Sequence, residues 1–84
     1  MIRLLYFARL REALGTAFEE FAPVPEVADV DTLRAHLVAR GGAWADQFAP
    51  GRNLRAAVNQ VLANPRTAIA DGDEVAFFPP VTGG

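Results

Sequence analysis

The sequence predicts a single α+β domain in which a small mixed β-sheet carries one main helix across one face. Three observations lead to this prediction. The chain has 84 residues, which is enough for one hydrophobic core and too few for two. Strand-like apolar runs stand near both ends of the chain. One long segment with helical periodicity lies between them, so that the element order is that of a sheet covered by a helix.

The N-terminal part of the chain is predicted to form a strand, a short helix and a second strand. Residues 2–8 are a short, aromatic-rich run bounded by polar residues, which is typical of a strand. Residues 9–14 suit a short helix, with Gly15 as its C-terminal cap. Residues 17–22 form a weaker strand that ends before Pro23. A connection of about ten residues between two strands predicts a hairpin with a broad turn.

The long helix is predicted in the middle of the chain. Asp29 offers an N-cap, and apolar residues then recur at helical spacing until Gly41-Gly42. Residues 43–48 are expected to form a short turn that places Trp44 and Phe48 against the core.

The C-terminal part is predicted to supply the remaining strands. Residues 54–63 read as strand with a bend near Asn59-Gln60, and Asp71-Gly72-Asp73 marks a tight turn. Residues 74–78 form the last strand, which Pro79-Pro80 ends because proline cannot donate to a β-ladder. We expect the first and last strands to pair in parallel at the centre, since their connection runs through the helix. This arrangement is an α+β roll of the ubiquitin-like kind.

Composition and charge exclude several classes of function. The net charge of -2, without any run of basic residues, argues against nucleic acid or an anionic membrane as the main partner. Cysteine is absent, which excludes disulfides, thiolate metal sites and a cysteine nucleophile. No signal peptide and no stretch approaching a membrane span is present, so a cytoplasmic location is expected.

The two central strands carry large apolar side chains on both faces. Strand alternation puts Leu5 and Phe7 opposite Leu4, and Phe78 opposite Phe77. One helix can cover only one face of the sheet. Each large apolar side chain that stays in water lacks the stabilisation of about 1.5–3 kcal/mol that burial would give. A contiguous apolar patch usually marks an interaction surface. The sequence therefore predicts obligate association through the second face, unless loops or the short first helix cover it.

The chain closes with two prolines and two glycines, in the segment Pro79-Pro80-Val81-Thr82-Gly83-Gly84. The prolines stiffen the exit from the sheet, and the glycines fit a channel too narrow for a side chain. We therefore expect a flexible tail over 79–84 that presents a carboxylate to a pocket of another protein. Adenylation would supply the leaving group that a carboxylate lacks, and sulfide delivery would then leave a thiocarboxylate. A terminal Gly-Gly taken alone is also compatible with a plain flexible end, but its position after an apolar strand and Pro79-Pro80 favours the reactive tail.

Three segments resemble the small, sulfur-carrier subunit family of molybdopterin synthase: residues 71–84, residues 5–12 and residues 57–60. The likeness extends over the whole chain and is weakest from Phe18 to Asp29. It implies a ubiquitin-like β-grasp fold and a carrier that binds no cofactor itself. An E1-like activating enzyme would adenylate Gly84 with ATP and magnesium, and a sulfurtransferase would supply the sulfur.

The resemblance also implies how the carrier works with its partner. It would dock on the large subunit of molybdopterin synthase, within a heterotetramer, and donate sulfur to cyclic pyranopterin monophosphate. The chain would itself be non-catalytic. Gly84 would bear the sulfur, and the tail would thread through Pro79, Pro80, Val81, Thr82 and Gly83. The resemblance implies docking through Phe7, Phe77 and Phe78, with Arg11 as a polar contact.

Other functions stay open at the level of the sequence. A thiamine-pathway sulfur carrier shares the fold and the terminal Gly-Gly, although the Phe-Phe-Pro-Pro stretch favours the molybdopterin type. A ubiquitin-like protein modifier would use the same tail to form isopeptides, whereas a plain interaction module would not use it at all. No metal site is expected, because Asp71-Gly72-Asp73 is too short for a calcium loop. His36 has no carboxylate, Ser or Cys at a useful spacing, so it is not expected to be a catalyst.

Overall fold

The computed structural model describes residues 1–80 of the chain, which form a five-stranded sheet and three helices. In chain order the elements are β1 (Ile2–Tyr6), α1 (Arg9–Leu14), β2 (Phe18–Phe21), α2 (Val30–Val38), α3 (Gly42–Phe48), β3 (Arg55–Val58), β4 (Val61–Ala63) and β5 (Glu74–Phe78). The prediction of a turn at residues 43–48 is wrong, because these residues form a helix. The strand expected over residues 54–63 is divided into β3 and β4.

The sheet has the strand order β2-β1-β5-β3-β4. β1 and β5 pair in parallel at its centre, while β2, β3 and β4 pair antiparallel with their neighbours. A parallel pair needs a crossover connection, and the helices lie within the chain segment that makes it. This topology confirms the predicted α+β, ubiquitin-like β-grasp architecture.

The hydrophobic core lies between the sheet and the helices. Alternate residues of the central strands point into it and meet apolar side chains from all three helices. Each such side chain contributes about 1.5–3 kcal/mol when it is removed from water. The largest fully buried side chains are Tyr6, Phe48, Phe77, Ile2, Leu4, Leu10, Leu33, Leu37 and Val75.

Local hydrogen bonds explain where α2 begins. The Asp29 carboxylate accepts a hydrogen bond from the Thr32 backbone N–H at 2.8 Å, and the Thr32 hydroxyl accepts one from the Asp29 N–H at 3.0 Å. This reciprocal pair is a capping box, which satisfies donors that the first turn of a helix leaves free. The backbone hydrogen bond from Thr32 also holds the pKa of Asp29 below its ordinary value. Asp29 is therefore the N-cap that the sequence predicted.

The hairpin between β3 and β4 is closed by two residues in the left-handed region. Asn59 and Gln60 have φ angles of 50° and 69°, which suit the twist of a two-residue hairpin. The Asn59 side chain donates to Asp73 and accepts from the backbone N–H of Glu74, each at 3.0 Å. These bonds attach the hairpin to the start of β5. Asn59-Gln60 therefore has a structural role in the backbone turn.

Candidate functional site

The helices pack on one face of the sheet, and we call the other side the open face. Strand register places one apolar residue from each strand in a row across it: Leu5 pairs with Phe18 and with Ala76, while Ala57 pairs with Ala76 and with Leu62. Phe18 and Leu62, at the two edges of the sheet, are 50% and 64% exposed. A continuous apolar surface of this kind is typical of a docking site. From edge to edge the row reads Phe18, Leu5, Ala76, Ala57, Leu62.

The open face continues to the point where the chain leaves β5. The backbone N–H of Phe7 donates to the carbonyl of Phe77 at 3.2 Å, which brings Phe7 beside the end of that strand. Phe7 is 49% exposed, and Phe78 is half-buried on the same face. The next residues, Pro79 and Pro80, are also half-buried. The root of the tail, Pro79-Pro80, thus lies at one end of an apolar surface.

Phe77 does not belong to this surface, and the prediction that it helps to dock a partner is corrected. Its side chain is 1% exposed and packs edge-on against the ring of Phe48, with the ring centroids 5.1 Å apart. Successive residues of a strand point to opposite faces, so only Phe78 of the two reaches the open face.

The other predicted site residues divide between the described part of the chain and the part beyond it. Arg11 is exposed on α1, which starts two residues after Phe7. Pro79 and Pro80 continue directly from β5. Val81, Thr82, Gly83 and Gly84 lie outside the described residues, so the structure describes the root of the tail. Sequence reasoning missed Phe18 and Leu62, whose place on the open face depends on strand register.

A polar cluster lies on the helix side of the sheet. The Tyr6 hydroxyl donates to Glu19 at 2.7 Å, and the Arg40 guanidinium binds both oxygens of the same carboxylate at 2.8 and 2.9 Å. Arg40 also lies over the ring of Trp44, 4.4 Å from its centroid. Burial and the bond to Glu19 raise the pKa of Tyr6 well above its usual range. The cluster links β2 to the helices and has no side chain on the open face.

A cavity of about 310 Å³ opens between α2 and β3, also on the helix side. Arg34 lines it, but this guanidinium donates to the carbonyl oxygens of Phe48, Ala49 and Arg52 at 2.7–2.8 Å. Its interactions therefore serve the C-terminal end of α3.

Residues 1–80 contain no group of three or more His, Asp or Glu side chains placed to hold a metal ion. None of their helices has the length and apolar character that a bilayer span requires.

Comparisons with known proteins show the family. The model of the ThiS family matches residues 4–84. Over 84 residues, covering the whole of both chains, the sequence is 48% identical to the molybdopterin synthase sulfur carrier subunit of Escherichia coli (strain K12). It is 39% identical, again over the whole of both chains, to the protein of the same name from Haemophilus influenzae. The crystal structure of SAMP1 from Haloferax volcanii superposes with a TM-score of 0.76 at 30% identity, covering 99% of this chain and 98% of that one. The chain therefore belongs to the ThiS family.

Proposed function

We propose that the chain is the sulfur carrier subunit of a molybdopterin synthase. The observation that carries the proposal is the open face, whose apolar surface runs across all five strands and reaches the root of a tail that ends in Gly83-Gly84. A surface of this kind suits a domain that works while docked on another protein. The full-length similarity to two proteins named molybdopterin synthase sulfur carrier subunit supports the same function.

The chemistry of the proposal takes place at Gly84. An E1-like activating enzyme uses ATP and magnesium to join the carboxylate to AMP, with release of pyrophosphate. A sulfurtransferase system delivers sulfur at the oxidation level of sulfide to the activated carbonyl, AMP leaves, and a thiocarboxylate remains. This group carries sulfur without a cysteine, in a chain that has none. The chain binds no cofactor and supplies no catalytic side chain, because both reactions occur in the sites of its partners.

Docking then brings the thiocarboxylate to its acceptor. The open face contacts the large subunit of molybdopterin synthase through Phe7 and Phe78, with Arg11 as a polar contact. The segment 79–83 threads into the large subunit, where the Gly84 thiocarboxylate gives its sulfur to cyclic pyranopterin monophosphate and takes up the oxygen of water to become a carboxylate again. The assembly is a heterotetramer with a central pair of large subunits.

A second candidate is a ubiquitin-like protein modifier. It is favoured by the match to SAMP1, which is named small archaeal modifier protein 1. A modifier would transfer its activated C-terminus to an amine and form an isopeptide. A thiamine-pathway sulfur carrier is the third candidate, and it would give its sulfur to a different acceptor.

Intact-mass spectrometry separates these candidates. The chain is incubated with ATP, magnesium, the activating enzyme and a sulfur source. We expect the mass to rise by the exchange of one oxygen for sulfur, and we expect the loaded chain to convert cyclic pyranopterin monophosphate once the large subunit is added.

The control is a variant that lacks Gly84. It should fold and bind the large subunit like the full chain, but it should neither gain sulfur nor donate it. Sulfur transfer by the shortened chain would contradict the proposal. Isopeptide conjugates in place of the thiocarboxylate would favour the modifier.

A further inference from the structure

Charged side chains on the open face are sorted between its two ends. At the end where the tail leaves, Arg55 is exposed and pairs in register with Phe78. At the opposite end, Arg3 lies in register between Glu20 on β2 and Glu74 on β5. Arg3 also stacks over the ring of Phe18, 5.0 Å from its centroid. The apolar row separates a cationic end from an end with an excess of carboxylates.

The helix that follows Phe7 lies on the helix side of the sheet, where Leu10 is buried in the core, and it begins close to the cationic end. α1 carries the exposed residues Arg9 and Arg11, and Glu12 is its one carboxylate. Within residues 1–80 neither of these arginines, nor Arg55, takes part in an ion pair. Within the described residues, Arg55 therefore places a positive charge without an ion-pair partner beside Phe78, although the whole chain has a net charge of -2.

The apolar row by itself does not define the direction in which a partner docks. The five apolar residues of the row would present a similar surface to a partner that is rotated by half a turn in the plane of the sheet. Such a rotation would direct the tail away from the partner's pocket. Charges on the rim of an apolar patch can distinguish the two orientations, because like charges brought together are repelled.

We propose that this separation of charge orients the docking partner. The partner is a protein that carries carboxylates where it meets Arg55, outside the opening that receives the anionic tail, and a cationic group where it meets Glu20 and Glu74. Arg55 is the residue of this chain that sets the orientation most directly, since it is the immediate neighbour of Phe78. The inference rests on the proposed function and adds the chemistry of the surface that the open face recognises.

The test is the rate of association with the large subunit of molybdopterin synthase, measured by stopped flow at low and high salt. Arg55→Glu should slow association by about tenfold at low salt, because steering by complementary charge raises on-rates by this order or more. The difference should shrink as salt screens the charges. Glu20→Arg should slow association in the same way from the other end of the open face.

Arg66→Glu is the matched control, since it makes the same change of charge on the helix side. Arg66 is exposed and follows Pro65, whose carbonyl accepts a hydrogen bond from the N–H of Asp31 in α2. This variant should associate like the unmodified chain. Arg55→Gln makes a smaller change of charge and is measured in parallel. It replaces Arg55→Glu if Arg55→Glu unfolds at a lower temperature than the unmodified chain.

Three results separate this inference from the proposed function. If the unmodified chain gains sulfur and binds the large subunit, yet Arg55→Glu associates as fast as Arg66→Glu, the orienting role is overturned. Faster association of Arg55→Glu would overturn it too. If the unmodified chain neither binds the large subunit nor gains sulfur, the proposed function itself is wrong.

Discussion

Phe77 and Phe78 show how position within a strand decides what a side chain does. The two residues are chemically identical and adjacent. Phe77 is enclosed between the sheet and Phe48, whereas Phe78 lies on the open face beside Arg55. Because Phe77 is buried, it contributes to stability. Phe78 lies next to the root of the tail, so it is a candidate for partner binding.

Truncation of each phenylalanine should therefore have a different result. Phe77→Ala should lower the free energy of unfolding by about 3–5 kcal/mol, since it leaves a cavity in the core. Phe78→Ala should cost much less stability but weaken binding to the large subunit. Urea denaturation and calorimetric titration of both variants provide the measurement. Equal losses of stability would contradict the assignment of the two faces.

At the scale of the elements, β2 depends on a polar link to the helices. It is a four-residue edge strand whose Glu19 points to the helix side and binds Tyr6 and Arg40. Burial alone would raise the pKa of Glu19, but the hydrogen bonds from Arg40 and Tyr6 outweigh it and hold that pKa below its ordinary value of 4.5. The cluster therefore stabilises the fold more when Glu19 is ionised than when it is protonated.

Stability should consequently depend on pH through Glu19. Its pKa is lower in the folded chain than in the unfolded one, so its contribution is complete above pH 4.5 and is lost as the pH falls through the folded-state pKa. The melting temperature of Glu19→Gln should change less than that of the unmodified chain on acidification from about pH 6 to pH 3. Glu20→Gln is the control, because Glu20 lies on the open face and outside the polar cluster. Its melting temperature should change with pH as that of the unmodified chain does. Parallel curves for all three proteins would show that the cluster does not act in this way.

At the scale of the whole molecule, the open face is a product of all five strands. No strand contributes more than one residue to its apolar row, and the strands come from both ends of the chain. Leu62 extends the row to β4. Its neighbour Val61 is 68% exposed but pairs with Val58, whose side chain is buried on the helix side.

Leu62 and Val61 offer a matched test of the extent of this surface. Both side chains are largely exposed, so Leu62→Ser and Val61→Ser should each change stability by no more than about 0.5 kcal/mol. Only Leu62→Ser should weaken binding to the large subunit, because only Leu62 lies on the open face. Dissociation constants from calorimetric titration, with urea unfolding as a check, provide the comparison. Equal effects on binding would mean that the docking surface ends before β4.

Local signals in the sequence were sufficient for the proposed reactive group and for most of the elements, although they missed the helix α3. The Asp29 side chain caps α2 by accepting a hydrogen bond from Thr32, three residues later in the sequence, and Gly15 ends α1 with a φ of 73°. The parallel pairing of the first and last strands followed from the order of the elements. The Gly83-Gly84 motif needs no tertiary structure to be recognised.

Tertiary structure alone decided which face of the sheet is covered and what meets on the other. Alternation within β5 separates Phe77 from Phe78, but only the packing of the helices determines which of the two is buried. Phe18 and Leu62 join one apolar row because hydrogen bonds set the register of strands that are distant in sequence. Register and packing are non-local, so a reading along the chain could predict the tail but not the full surface that leads to it.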